Sequence, residues 1–379
     1  MNILIATGIF PPDVGGPANF LPQLCEKISD ENKISVLTLS NKKYQNNGKY
    51  KVVGIDRNQN KILRTLLIIY WVIKLGKKTD LIFINGLWFE TNLANFFLRK
   101  KTIRKIVGDP VWEKYLNKGG KLTDFDSFQS NFINFKILFK KFIRNFFIRK
   151  ANLIIVPSTH LENFVRNNCR YNGKILKIFN GTRITNDKII KKNKNNFLVV
   201  SRLVKQKNLE NTLLAFSEII KNDSNINFEL NIIGDGPELE NLLEITNKVN
   251  IKDSVKFHGK KFEKELEKFY LESNFFIQVS SYEGMSHSIL EAINYENLII
   301  TSNFPGNTEI LDNNLYGIIQ EIDNGTFNYK ELALKIEKLI RENNTYKFKT
   351  ENAKKILVSN HDIKKIIKQY EDILKNEIL

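Results

Sequence analysis

The sequence predicts two doubly wound α/β domains that follow one another along the chain. Short runs of apolar and β-branched residues alternate with helix-length segments in both halves. Near-continuous apolar strands separated by helices are typical of parallel sheets covered on both faces. A polar stretch interrupts the alternation once, and 379 residues are enough for roughly two domains of ordinary size.

The elements can be placed in chain order. The first set of strands is predicted at Ile3–Thr7, Ile34–Leu39, Leu81–Asn85, Ile103–Val107 and Leu153–Pro157, with helical segments such as Phe20–Ile28 and Ile62–Leu75 between them. The lysine- and asparagine-rich stretch Lys188–Asn196 suits a linker. The second set of strands is predicted at Phe197–Ser201, Phe228–Ile233, Val255–His258, Phe275–Val279 and Leu298–Thr301.

Composition narrows the cellular setting. The only cysteines, Cys25 and Cys169, do not suggest a disulfide framework, which fits a reducing cytoplasm. The opening MNILIATGIFPP lacks a basic region before its apolar run, so we expect a first strand and not a signal peptide. The apolar run Thr65–Leu75 is interrupted by Lys74 and is shorter than the about 20 residues that span a bilayer.

The formal net charge is +17. Such an excess favours an anionic partner, such as nucleic acid, an acidic lipid surface or a phosphorylated substrate. Lysine, asparagine and isoleucine are abundant throughout, so a general compositional bias explains the charge equally well.

Two cations follow the first strand of the second half. Arg202 lies directly after Phe197–Ser201, and Lys207 precedes a helix that is predicted to begin near Asn208, a favourable N-cap. The carboxyl edge of an open α/β sheet binds ligands, and a helix N-terminus favours anions. The pair therefore suggests a diphosphate clamp, with two solvated surface cations as the alternative. The turn Gly234–Pro237 after the next strand permits close approach of another group.

Two glutamates flank the predicted helix after Phe275–Val279. Glu283 lies in the loop of SYEGMSHSILEA, and Glu291 lies among apolar neighbours, where an unpaired charge is costly. A sugar nucleotide offers hydroxyls at two separated places, its sugar and its ribose, while backbone N–H groups at 285–287 can meet its diphosphate. The alternative is a loop charge and an ordinary residue of the helix surface.

These motifs resemble family 4 of the glycosyltransferases, which have the GT-B fold. Glu283 and Glu291, with seven residues between them, match its E-x7-E motif. The supporting segments occur in family order and cover nearly the whole chain: FPPDVGGPANFL (10–21), FNGTR (179–183), SRLVKQKN (201–208), IIGDGPELENL (232–242) and PGNTEIL (305–311).

The resemblance implies two Rossmann-like domains facing a central cleft, at 1–187 for the acceptor and 188–360 for the donor. A helix at 361–379, predicted over Asp362–Ile378, would cross back to the first domain. It implies a retaining hexosyltransferase that moves a sugar from a nucleotide-diphosphate donor to a hydroxyl of a glycan or lipid-linked acceptor. The expected setting is the synthesis of a cell-surface polysaccharide or glycolipid. No cofactor and no obligatory metal are expected, because the nucleotide sugar is a co-substrate.

The resemblance also implies residue roles. Arg202 and Lys207 neutralise the diphosphate, Glu283 contacts the transferred sugar, and Glu291 binds the ribose. Further donor contacts fall on two segments of the motifs, at Gly15, Gly16, Gly284, Met285, Ser286, His287 and Leu290.

One position departs from the family pattern. Many members carry a histidine in the first domain near the reacting sugar, but here only His160 lies in that half, at an unexpected place. Asp109, in GDPVWEKY after the strand Ile103–Val107, is our candidate for orienting an acceptor or sugar hydroxyl; the alternative is a strand-end turn residue. Asp124 and Asp126 look like a D-x-D metal motif, but they lie away from the predicted phosphate site, so no metal site is expected.

Three other functions fit parts of the sequence less well. A sugar-nucleotide epimerase on the same fold would use the donor site without an acceptor. A nucleic-acid-binding protein is prompted only by the charge, and no basic helix accompanies a recognised nucleic-acid-reading motif, so no nucleic acid is expected. A dinucleotide oxidoreductase is excluded, since TGIFPPDVGG is not G-x-G-x-x-G.

The segment Phe132–Lys150 predicts an amphipathic helix. Five residues at helical spacing, Phe135, Leu138, Phe139, Phe142 and Phe146, are expected to pack into the first domain. The basic residues Lys136, Lys140, Lys141 and Arg144 would then face an anionic membrane surface. The enzyme would lie peripherally on the inner face of the cytoplasmic membrane. The alternative is a fully packed helix with a lysine-rich edge.

Overall fold

The computed structural model describes residues 1–13, 15–41, 48–120, 124–185, 195–312, 315–323, 326–342 and 346–376. The chain divides into two compact units. Unit 1 comprises Met1–Val111, Phe132–Phe179 and Ile363–Leu379, and unit 2 comprises Trp112–Asn131 and Asn180–Asp362. The predicted domain limit at 187/188 and most of the predicted linker lie outside the described residues.

Unit 1 is built on a parallel sheet with the order β3-β2-β1-β4-β5-β6-β7. Its elements are β1 (Asn2–Ala6), α1 (Gly16–Ile28), β2 (Lys33–Ser40), β3 (Lys51–Asp56), α2 (Lys61–Gly76), β4 (Leu81–Ile84), α3 (Trp88–Leu98) and β5 (Lys101–Lys105). The helix α4 (Pro110–Leu116) begins at the end of unit 1, and α5 (Phe125–Ser130) belongs to unit 2. Unit 1 resumes with α6 (Phe135–Arg149), β6 (Leu153–Val156), α7 (Thr159–Asn163), a π-helical turn at Phe164–Asn168 and β7 (Lys174–Lys177).

Unit 2 is built on a second parallel sheet with the order β10-β9-β8-β11-β12-β13. Its elements are β8 (Asn196–Val200), a 3-10 turn at Lys205–Lys207, α8 (Leu209–Asn222), β9 (Glu229–Ile233), α9 (Leu239–Lys248), β10 (Val255–Phe257), α10 (Glu263–Glu272), β11 (Phe275–Gln278), α11 (His287–Asn294), β12 (Leu298–Ser302), α12 (Pro305–Thr308) and β13 (Gly317–Gln320). A small antiparallel pair, β14 (Ile322–Asp323) and β15 (Thr326–Phe327), precedes α13 (Tyr329–Arg341) and α14 (Lys347–Asn360). The predicted pair of doubly wound domains is confirmed.

The last helix, α15 (Ile363–Asn376), returns to unit 1 as predicted. Its apolar side joins the core that β1, β4 and α1 form on one face of the sheet. The ring of Tyr370 lies 4.8 Å from that of Phe20 on α1, centroid to centroid. The other face of the sheet is covered by α2 and α3, which contribute Ile68, Val72 and Ala94 to a separate core.

Three strands of the two parallel sheets were not predicted, namely β3, β7 and β13. In each, the apolar run is only two or three residues long before a polar residue or a glycine ends it, so it is weaker than those of the central strands. All three lie at an edge of their sheets, where one side of the strand has no neighbouring strand among the described residues.

The segment Trp112–Asn131 packs with unit 2, although the sequence placed it in the first domain. Its anchors are aromatic. The Tyr282 ring lies 4.8 Å from that of Trp112 and 4.7 Å from that of Phe125, where it is stacked. Trp112 and Phe125 are almost fully buried, so this segment forms part of the core beside the loop that carries Glu283.

The predicted orientation of α6 is wrong. Of the five residues expected to pack inward, Phe135, Leu138, Phe139 and Phe142 are between 51% and 81% exposed, and Phe146 is half-buried. The buried side instead contains Ile137, Lys141, Arg144, Phe147 and Ile148. Arg144 can be buried because it pairs with Asp109, and the Phe147 ring packs against Trp88 and Phe89 of α3.

Candidate active site

The two central strands of unit 2 bring the predicted donor residues to one sheet edge. β8 and β11 are parallel neighbours, so their carboxyl ends coincide. Arg202 and Lys207 follow β8, and Glu283 follows β11. This is the edge at which open α/β sheets bind ligands.

The segment after β8 is fixed by backbone contacts. The turn Gly234–Pro237 closes on it: the Leu203 N–H donates to the Asp235 carbonyl at 3.0 Å, and a Cβ on Gly234 would collide with the Ser201 carbonyl. Gly234 also has a φ of +142°, which other residues rarely adopt. Gly234 therefore allows the GDGP turn to pack against the backbone that carries Arg202.

The helix after the turn begins as predicted, but its cap differs. Asn208 occupies the N-cap of α8 in a left-handed conformation and makes no side-chain capping hydrogen bond. Its Nδ2 donates instead to the Val279 carbonyl at 3.2 Å. The backbone carbonyl of Gln206 accepts a hydrogen bond of 2.9 Å from the Ser281 N–H. The two loops of the site are thus tied to each other.

Lys207 and Glu283 form an ion pair across these loops. Each side chain is 15% exposed, so the pair is shielded but reachable. Oε1 of Glu283 accepts from both Lys207 and Gln278 Nε2, the latter at 2.9 Å. Oε2 has no hydrogen-bond partner among the described residues and is left to accept from a ligand hydroxyl.

Gln278, which lies outside the motifs, organises this loop. Its Oε1 accepts from Ser286 Oγ at 2.9 Å and from Ser288 Oγ at 2.8 Å, while its Nε2 holds Glu283. Gln278 is buried at the last position of β11. A polar residue ending an otherwise apolar strand was the signal that could have revealed it.

The N-terminus of α11 is capped by Ser286, whose Oγ accepts from the Ile289 N–H at 3.3 Å. Met285 is held from within unit 2, since Asn180 Nδ2 donates to its carbonyl at 3.0 Å. Gly284 is buried, and a Cβ on Gly306 would strike the carbonyls of this loop. His287 is half-buried at the first position of the helix.

Leu290, like Gly284, Met285 and Ser286, is buried. Its side chain is completely buried and supports α11 from the core. A donor contact at Leu290 stays a prediction.

Glu291 lies one turn into α11 and is half-buried. Its Oε2 accepts from the Tyr270 hydroxyl at 3.0 Å, and Oε1 has no hydrogen-bond partner in the part of the chain that the structure describes. Desolvation raises the pKa of this carboxyl to about 7, and the Tyr270 hydrogen bond opposes the rise. Like Glu283, Glu291 has one oxygen held by the protein and one available.

Arg202 supplies an exposed cation at the same edge. Its guanidinium forms no ion pair or hydrogen bond with another described residue. Together with the N-terminus of α11, it provides positive potential for an anion.

Asp109 occupies a different environment in unit 1. Its side chain is 0% exposed, Oδ1 accepts from the Val111 N–H at 2.9 Å, and Oδ2 pairs with Arg144, which is 1% exposed. A sealed carboxylate with these partners cannot reach an acceptor in this conformation. The geometry favours the alternative, a structural residue at the strand end.

The remaining predicted positions are also located. Gly15 is the N-cap of α1, at a φ of +142°, and Gly16 begins that helix. Asp124 caps α5 by accepting from the Ser127 N–H at 2.9 Å, which accounts for the first acid of the D-x-D look-alike.

Comparison with known proteins agrees with this architecture. Residues 182–356 match the profile of the family described as Glycosyl transferases group 1. An uncharacterized glycosyltransferase of Methanocaldococcus jannaschii is 26% identical, covering 99% of this chain and 98% of that protein. The alpha-monoglucosyldiacylglycerol synthase of Streptococcus pneumoniae is 29% identical over 122 residues, which are 32% of this chain and 27% of that protein.

Among solved structures, that of Anabaena HepE in complex with UDP and glucose is similar, with a TM-score of 0.76 and 16% identity. The likeness covers 98% of this chain and 99% of HepE, and it concerns the fold. The match of residues 182–356 to the glycosyl transferases group 1 family, the full-length relative and the likeness in fold support a glycosyltransferase of the GT-B fold.

Proposed function

We propose that the protein transfers a hexose, with retention of anomeric configuration, from a nucleotide-diphosphate donor to a hydroxyl of a glycan or lipid-linked acceptor. The observation that carries this proposal is the pair of half-satisfied carboxylates in unit 2. Glu283 and Glu291 each have one oxygen fixed by a protein donor and one oxygen available, on opposite ends of one loop–helix segment.

The charges of the site suit a sugar nucleotide. Glu283 and Lys207 neutralise each other, so Arg202 and the α11 N-terminus remain to attract a diphosphate. Glu283 Oε2 accepts from the sugar, and Glu291 accepts from the ribose. Lys207 lies beside Glu283 and can also contact the leaving phosphate.

In the proposed reaction the bond between the anomeric carbon and the phosphate oxygen breaks, and a bond to the acceptor oxygen forms on the same face. The acceptor proton passes to the departing phosphate oxygen, so no protein base is needed. Negative charge grows on the diphosphate in the transition state, where preorganised cations and N–H groups stabilise it most. Arg202 and Lys207 are therefore assigned to the leaving group.

The substrate classes rest on the relatives. HepE has been solved in complex with UDP and glucose, and the streptococcal relative is an alpha-monoglucosyldiacylglycerol synthase. We accordingly propose a role in cell-surface polysaccharide or glycolipid synthesis. Metal independence is part of the proposal, and its test is activity in excess chelator.

The test is a binding screen of nucleotide sugars, followed by product analysis with the donor that binds. We expect saturable binding of one nucleotide sugar and, with a hydroxyl acceptor, a product whose anomeric configuration matches the donor by NMR. A changed sugar from donor alone would identify an epimerase, and an inverted product would refute retention. Absence of binding by any nucleotide sugar would refute the donor assignment itself.

A further inference from the structure

Unit 1 exposes an unusual amount of apolar surface on one side. Of the twenty large apolar side chains that are exposed among the described residues, twelve lie on or next to α2, α3 and α6. They are Ile62, Leu63, Leu66, Tyr70, Leu93, Phe96, Phe97, Phe132, Phe135, Leu138, Phe139 and Phe142. Isolated exposed apolar residues are ordinary, but contiguous apolar patches mark interaction sites.

The exposed residues form a stripe on each helix. On α6, Phe135, Leu138, Phe139 and Phe142 recur at three- and four-residue spacing, and on α3 Leu93, Phe96 and Phe97 do the same. Residues at these spacings share one face of a helix. Each helix therefore carries apolar side chains on its exposed side as well as among its buried residues.

The three helices lie side by side. α2 packs on α3, and α3 packs on α6, where the Phe147 ring lies 5.9 Å from that of Phe89. α2 and α3 cover the face of the sheet opposite α1 and α15. Since α3 packs on both α2 and α6, we treat the outward stripes of the three helices as one surface, which we call the α2–α3–α6 face.

The charges on the three helices are mostly positive. The helices contain eight lysines and arginines, of which Lys141 and Arg144 are buried, and one acidic residue, Glu90. The exposed cations Lys136, Arg149 and Lys150 lie within or just after α6, and Arg99 follows α3 directly. An apolar face with a basic surround complements a lipid surface, which offers hydrocarbon beneath an anionic layer of headgroups.

We propose that the α2–α3–α6 face inserts its phenylalanines into the interfacial layer of an anionic membrane. Phe96, Phe97, Phe135, Phe139 and Phe142 enter the acyl boundary, and the flanking lysines and arginines contact the headgroups. None of the described helices is long and apolar enough to cross a membrane. This deepens the proposed function, on which it rests for its purpose, by placing the enzyme where a lipid-linked acceptor resides.

The salt dependence of vesicle binding depends on which side chains touch the membrane. If only the basic residues touched the membrane, binding would disappear at high salt, because surface charges are screened. Insertion of aromatic side chains adds a contribution that salt does not screen. The protein should therefore bind anionic vesicles more tightly than neutral ones and retain part of that binding in high salt.

The experiment is cosedimentation of the full-length protein with vesicles of phosphatidylcholine or of equimolar phosphatidylcholine and phosphatidylglycerol, at low and high salt. The test variant is Phe97→Ser/Phe139→Ser, whose side chains are 73% and 63% exposed. The matched control is Phe348→Ser/Leu334→Ser in unit 2, at 73% and 61%. We expect the test variant to lose roughly tenfold or more in partitioning and the control to bind like the wild type.

A direct readout of insertion is quenching by brominated phosphatidylcholine. The tryptophan introduced by Phe139→Trp should show fluorescence quenching by the brominated lipid, and the one introduced by Phe348→Trp should not. Equal partitioning of the two double variants, or no wild-type binding to anionic vesicles, would overturn the proposal. Light scattering that shows a dimer abolished by Phe97→Ser/Phe139→Ser, without vesicle binding, would assign the face to a second copy of the chain.

The same variants separate this proposal from the donor assignment. Nucleotide-sugar binding should be unchanged by Phe97→Ser/Phe139→Ser, since neither residue belongs to the unit 2 site. Vesicle binding without any nucleotide-sugar binding would refute the proposed function and leave the membrane face standing.

Discussion

Two carboxylate–cation pairs follow strands of the two sheets, and they differ in their access to solvent. Asp109 and Arg144 in unit 1 are 0% and 1% exposed, whereas Glu283 and Lys207 in unit 2 are each 15% exposed. Asp109 has both oxygens engaged, while Glu283 retains one oxygen without a partner among the described residues. From sequence both looked like an acid at a strand end, and burial is what separates a structural pair from one that can meet a ligand.

The largest effect, on the free energy of unfolding, should come from breaking the buried Asp109–Arg144 pair, which we call the sealed pair. Arg144→Met leaves the Asp109 carboxylate buried without its main partner, which should lower the free energy of unfolding by about 3–5 kcal/mol. Urea denaturation measures this. Arg149→Met, an exposed arginine on the same helix, is the control and should change little. A stability loss as small as that of the control would show that the pair is not a structural element.

Substitutions in the unit 2 site, which contains the partly exposed Glu283–Lys207 pair that we call the open pair, should change turnover more than stability. Arg202→Ala should reduce kcat by roughly 100- to 1000-fold, because it removes charge stabilisation of the leaving diphosphate. Lys205→Ala, which removes an exposed cation from the neighbouring turn, is the control and should retain kcat. Near-normal kcat in Arg202→Ala would mean that the phosphates bind elsewhere.

Part of the fold and part of the candidate site could be predicted from the sequence. The central strands and the proximity of Lys207 and Glu283 were predictable, because parallel strands place their carboxyl ends on one edge. The buried side of α6 was not, because Arg144 is buried through a partner 35 residues away, which helical periodicity cannot reveal. Both sides of α6 carry phenylalanines, so hydrophobicity alone could not choose between them.

Gln278 illustrates the same limit within the site. Its three hydrogen bonds depend on the side-chain directions of Glu283, Ser286 and Ser288 around a loop, and spacing along the chain does not fix these. Asp109 illustrates the converse. A motif match suggested that its side chain contacts a substrate, but the side chain is completely buried.

Glu291 should make donor binding depend on pH. Glu291→Ala should weaken binding by about 1.5–3 kcal/mol, the range for hydrogen bonds to charged groups. Because the pKa is raised to about 7, the carboxylate is charged above that pH and protonated below it. Wild-type affinity should therefore fall as pH decreases through about 7.

Calorimetry with an intact nucleotide sugar measures this dependence. Glu291→Gln is the control that cannot titrate, and its affinity should stay flat over the same range. Tyr270→Phe removes a hydrogen bond that lowers the pKa, so its midpoint should move to higher pH. Identical pH profiles for the wild type and Glu291→Gln would contradict the assignment.

The smallest effect is expected from Gln278, a positioning residue. Gln278→Met removes the contacts to Glu283, Ser286 and Ser288 and should reduce kcat by about tenfold, with the Kd for free nucleotide diphosphate little changed. Ser288→Ala, which loses one of those contacts, should have a weaker effect. A change in nucleotide affinity with kcat intact would show that Gln278 does not act through Glu283.

The most direct test replaces the two carboxylates by amides in matched variants, Asp109→Asn and Glu283→Gln, and measures unfolding and turnover for both. We predict that Asp109→Asn loses several kcal/mol of unfolding free energy while its folded fraction keeps kcat. Glu283→Gln should keep the unfolding free energy within about 1 kcal/mol and lose most of its kcat. A stable Asp109→Asn with lost turnover, or an unstable Glu283→Gln with normal turnover, would contradict the distinction between the sealed and the open pair.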